Sequence, residues 1–116
     1  MNVYHCMIDL KQDARALSFA QALDAWMSHL QTAGTINSWR LMRRKLNLAS
    51  ELHSDFMLEI EVADLTQLDK AFRLSGTHDD DIARLHRAVH DQIGTSRIGL
   101  YRPFPDPERS ERMALI

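Results

Sequence analysis

The sequence predicts an α+β fold in which a four-stranded antiparallel sheet carries its helices on one face. Three observations lead there. "FMLEIEVA" (56–63) alternates Phe56, Leu58, Ile60 and Val62 with Met57, Glu59 and Glu61, the period of a strand with two unlike faces. Residues 14–33 repeat apolar side chains at helical spacing instead. A second helical stretch, interrupted at Gly76, separates the 56–63 run from a last strand-like run near the C-terminus.

The elements follow in order. "NVYHCMIDL" (2–10) is short and rich in β-formers before the polar "KQDAR", and reads as a strand. In the first helix, Ala16, Phe19, Ala20, Leu23, Trp26, Met27 and Leu30 form one stripe, and Gly34 stands where a helix stops. "TINSWRLMRRKL" (35–46) reads as a strand and "NLASELHSD" as a turn region leading into 56–63. Asp64 is a suitable N-cap for a helix over 64–76 that closes on Gly76. A further helix over 78–93, capped by Thr77 or Asp79, buries Ile82, Leu85, Val89 and Ile93. "TSRIGLYRPF" (95–104) is a last strand stopped by Pro103. The order is β-α-β-β-α-β with the second helical region split in two, the ferredoxin-like split βαβ arrangement. Residues 1–104 are expected to form this domain, and 105–116, with two more prolines and several charges, an extended C-terminal tail.

Bulk properties exclude several classes. The chain has 116 residues, 45% hydrophobic and 26% charged, with a formal net charge of −2, so no basic field argues for nucleic acid. A single cysteine, Cys6, excludes an internal disulfide and a cysteine metal cluster, and fits a reducing cytoplasm. The opening residues lack the basic region and apolar run of a signal peptide, and no segment is long and apolar enough to span a bilayer. No Gly-rich phosphate loop and no G-x-S-x-G setting is present. The expectation is a cytoplasmic protein with no cofactor, no metal and no nucleic-acid or membrane partner.

Strand parity sorts the candidate site residues. If the more apolar parity meets the helices, Tyr4, Cys6, Ile8, Leu10, Trp39, Leu41, Ile98 and Leu100 face inward with the apolar set of 56–62. The opposite face then carries Val3, His5, Met7, Arg40, Met42, Arg44, Met57, Glu59, Glu61, Arg97, Gly99 and Tyr101. Methionines and Tyr101 among charges make a patch of the kind that meets a partner. In element order, length and this mixed second face, residues 1 to 103 resemble the dimeric α/β barrel superfamily, and most closely its small bacterial families of unknown function. The resemblance implies a homodimer whose sheets pack face to face. It carries fold and dimerisation much further than function.

Three functions are compatible with that reading. The first is a homodimeric barrel binding a small apolar or aromatic acid in a sheet-lined cavity, with Arg40, Met42, Arg44, Met57, Glu61 and Gly99 as ligand-binding residues. The second is a cofactor-free monooxygenase or isomerase in which His5, Tyr101 and Glu59 are catalytic, the carboxylate fixing the imidazole tautomer. The third is a structural or interaction module whose barrel is filled. His86 and His90, at i, i+4 spacing in "DDDIARLHRAVHD" (79–91), fall on the edge of a buried helical stripe. They are expected to be boundary histidines rather than a metal site, with the Asp79–Asp81 run answering the helix dipole.

Overall fold

The computed structural model describes residues 1–105; from residue 106 the expected tail lies outside the described residues. The elements are β1 (Asn2–Leu10), α1 (Ala16–Thr32), β2 (Ser38–Arg43), β3 (Phe56–Val62), α2 (Leu65–Ser75), α3 (Asp80–His90) and β4 (Ile93–Tyr101). The four strands form one antiparallel sheet in the order β2-β3-β1-β4, with the helices on one face, a ferredoxin-like fold.

Burial follows the parity of the strands. Cys6, Ile8, Phe56, Leu58, Ile60 and Val62 lie under the helices and pack with Phe19, Leu23, Trp26, Met27 and Leu30 of α1. Their neighbours His5, Met7, Met57, Glu59 and Glu61 are only half-buried, on the sheet's open face. Asp64 caps α2 by accepting from the Gln67 amide at 2.8 Å. Asp79 caps α3 by accepting from Asp81 N and Ile82 N.

Three boundaries differ from expectation, each for a local reason. The predicted strand over 35–46 is shorter because Thr35 turns back to cap α1, its amide and hydroxyl both donating to Leu30 O at 3.0 Å. At its other end Leu46 and Asn47 adopt positive φ, 57° and 54°, which ends extended pairing. The predicted helix over 78–93 stops at His90, because Ile93 already pairs with Leu10 across an irregularity in the β1–β4 ladder. There Gly94 permits a close approach of the two strands, since a Cβ would meet Leu10 O at 3.1 Å.

The helix layer does not cover the whole sheet. α3 packs mainly against α1. Two side chains of β4 on the helix-facing side, Ile98 at 61% and Leu100 at 46%, are therefore exposed. No helix among the described residues is long and apolar enough to cross a membrane.

Candidate functional site

Strand register arranges the open face in rows. Arg40, Glu59, His5 and Gly99 stand side by side across β2, β3, β1 and β4. Ser38, Glu61, Val3 and Tyr101 form the row on one side, and Met42, Met57, Met7 and Arg97 the row on the other. The residues singled out from sequence thus lie on one surface, but they divide into separate groups.

Glu59 is taken by Arg40, whose Nε donates to Oε2 at 2.9 Å and whose Nη2 lies 2.8 Å from the same oxygen. That pairing of neighbouring strands is worth about 0.2–1 kcal/mol, and it occupies the acid expected to orient His5. Glu61 accepts from the Ser38 hydroxyl at 2.8 Å. These groups border a shallow hollow of about 270 Å³ with Met1 and Val3. His5, Gly99, Met57 and Tyr101 border a different hollow, of about 320 Å³, which also includes Arg97, Leu52 and His53. Tyr101 meets His5 edge-on, with ring centroids 5.7 Å apart. A Cβ at Gly99 would sit 3.2 Å from Tyr101 Cε2, so the space over this glycine holds the tyrosine ring. Arg44 turns away to donate to His53 O at 3.1 Å, and Met42 borders neither hollow.

The covered face holds a feature of equal volume. Between the sheet and the helices lies a cleft of about 320 Å³, floored by Tyr4, Cys6 and Ile60 and roofed by Trp26, Ala71 and Val89. It reaches the β4 edge at Ile98 and Ser96, the strand that the helices leave exposed. His86 and His90 line it from α3. Their rings stack 5.7 Å apart, and His86 also meets Trp26 edge-on at 5.5 Å. Burial, and secondarily His90, hold the His86 imidazole below its ordinary pKa, so it stays a neutral base. Burial pushes the Cys6 thiol up to about 11, which keeps it protonated and unreactive. Burial, with Cys6 adding to it, likewise raises the Tyr4 phenol.

The cleft is what sequence reasoning missed. The edge position of His86 and His90 on their helix was visible, but a helical wheel does not give the gap between two layers. Among the described residues no group of three or more His, Cys, Asp or Glu is arranged to hold a metal ion.

The family of unknown function DUF6614 matches residues 1–116. No curated protein matches the chain. Among solved structures, a protein of Arabidopsis thaliana superposes with a TM-score of 0.70 at 5% identity, over 89% of this chain and 95% of that one. A dimeric ferredoxin-like protein of unknown function from Thermobifida fusca gives 0.58 at 14% identity, over 89% and 92%. A cofactor-independent oxygenase from Streptomyces nogalater gives 0.60 at 11% identity, over 89% and 90%. At such identities these likenesses establish the fold alone.

Proposed function

We propose that this chain, which belongs to the family of unknown function DUF6614, is a homodimeric α/β barrel protein that binds a small apolar or aromatic acid in the cleft between its sheet and its helices. The cleft itself carries this reading: a concave, mainly apolar space with few polar groups is the usual form of a small-molecule site. Its polar end is the His86–His90 pair, which can donate to a carboxylate while the ligand's body packs on Trp26, Ile60 and Ala71. The open sheet face, where Tyr101 is 62% and Met42 37% exposed, is the surface proposed to pair two copies. The Thermobifida fusca neighbour, described as dimeric, supports that part. A cytoplasmic setting belongs to the same proposal and rests on the single free cysteine.

Trp26 makes the binding measurable. Aromatic carboxylic acids titrated into the protein should change tryptophan fluorescence saturably. Ser96→Phe, at the open rim, should block the change while the far-ultraviolet circular dichroism stays the same. A graded set of such acids that leaves the fluorescence unmoved, or moves it equally in Ser96→Phe, would refute the proposal.

A second reading, a cofactor-free monooxygenase or isomerase, draws on the His5–Tyr101 contact and on the likeness to a cofactor-independent oxygenase. It requires that turnover collapse in His5→Ala. Turnover lost in His86→Gln and kept in His5→Ala would move the chemistry to the cleft.

A further inference from the structure

We infer that the hollow between β4 and the β2–β3 loop, on the open face of the sheet, is a second binding site, for a small carboxylate. The hollow gathers His5, His53, Arg97 and Tyr101, with Leu52 and Met57 among its apolar walls, and no Asp or Glu lines it. It lies on the opposite side of the sheet from the cleft and rests on residues of one chain.

Charge is the first support. Among the described residues Arg97 has no carboxylate partner. The acids nearest in the sheet are engaged elsewhere. Glu59, beside His5, is held by Arg40. Asp55 is paired with Arg43 at 3.2 Å, and Asp9 Oδ1 accepts from the Asp55 amide at 2.9 Å. Within one chain the hollow therefore keeps an uncompensated guanidinium, whose fork matches a carboxylate bidentately.

Donor geometry is the second. His53 Nδ1 accepts from the Ser50 amide at 3.1 Å, so the neutral ring carries its proton on Nε2 and remains a donor in either protonation state. The Tyr101 hydroxyl is another donor, on a ring braced edge-on by His5. The loop that brings Leu52 and His53 over the sheet is tied down at its C-terminal side. Arg44 Nη1 donates to His53 O at 3.1 Å, and the following Asp55 amide is anchored on Asp9. The site is thus built before the ligand arrives, which lowers the ordering cost of binding. The apolar walls select a carboxylate carried on a short apolar or aromatic body over an inorganic anion.

Benzoate, titrated into the isotope-labelled full-length protein and followed by amide chemical shifts, tests this. The Gly99 amide reports the hollow and the Val89 amide the cleft, so the two sites are read separately. Benzoate should shift Gly99 saturably in the parent protein and in His86→Gln. In Arg97→Gln the affinity read at Gly99 should fall on the order of tenfold or more, the scale of losing charge-assisted hydrogen bonds. Arg97→Lys, which keeps the charge without the fork, should lie between, and inorganic phosphate should bind more weakly than benzoate. A Gly99 amide that benzoate does not move, an unchanged affinity in Arg97→Gln, or phosphate binding as tightly as benzoate would each overturn the inference. A silent Val89 amide would instead count against the cleft.

Discussion

Cys6 and His86 face the same cleft, and burial moves their titrations in opposite directions because it disfavours whichever form is charged. For Cys6 the thiol is favoured, with a pKa pushed up to about 11. Iodoacetamide at about pH 8 should therefore label the folded protein slowly, and urea unfolding should speed labelling sharply, because the thiolate is the nucleophile. Equal rates in both states would contradict the burial. For His86 the neutral imidazole is favoured, so its folded pKa lies below the ordinary 6.5 that it regains on unfolding. Above that value both states are neutral and the group adds no pH dependence. As pH falls through it, the unfolded chain takes a proton that the folded chain does not, stability declines, and the decline levels off below the folded pKa. The urea midpoint should thus fall between about pH 7.5 and pH 5.5, and part of that fall should vanish in His86→Gln. An identical fall in both proteins would mean that another group dominates. Alternation in β1 was enough to separate Cys6 from His5, since neighbours in a strand face opposite ways. The convergence of His5 with His53 and Arg97 was not legible, because it depends on the path of a loop with no period.

At the level of elements, capping chemistry accounts for the clearest boundaries. Asp64 and Asp79 were identifiable as N-caps because an acidic side chain precedes an amphipathic run, and each satisfies amides that the helix itself leaves free. Asp79 accepts from two amides and sits ahead of Asp80 and Asp81 in the first turn of α3. Asp79→Ala should cost about 1 kcal/mol, within a range of about 0.5–2, measurable by urea unfolding. The loss should loosen the helix that carries His86 and His90, so the cleft's affinity for a ligand should drop with it. Asp64→Ala, on the helix that brings Ala71 but neither histidine to the cleft, should cost a similar stability and lower the affinity less. Equal loss of affinity in both variants would show that the cleft depends on global stability, not on α3. The ends of β2 were harder to read because "TINSWRLMRRKL" has β-forming residues throughout. Its limits come instead from tertiary ties: Thr35 to the end of α1, and the positive φ of Leu46 and Asn47.

For the whole molecule the open sheet face is decisive. A sheet covered by helices on one side can leave the other side wet, as many antiparallel sheets do. Here that side is divided: the Arg40–Glu59 pair and Glu61 occupy its β2–β3 half, while Met7, Met57 and Tyr101 place apolar surface across the middle and toward β4. A face with an apolar strip of this kind is suited to an isologous pair, where each chain presents its strip to the other's. If two copies pair through it, a charge placed among the methionines must be desolvated, at a cost of several kcal/mol. Met42→Glu stands in the row of Met57 and Met7, and it is exposed in the single chain, so the substitution should leave the fold of the protomer intact. Sedimentation velocity at micromolar concentration should then show the parent protein as a dimer and Met42→Glu shifted toward monomer. Arg87→Glu, a charge reversal on the exposed side of α3, should leave the dimer unchanged. A parent protein that sediments as a monomer would remove the barrel interior altogether, yet leave the cleft, which one chain builds by itself. Dissociation by Arg87→Glu and not by Met42→Glu would place the contact on the helix layer, and the methionine row would then need another partner.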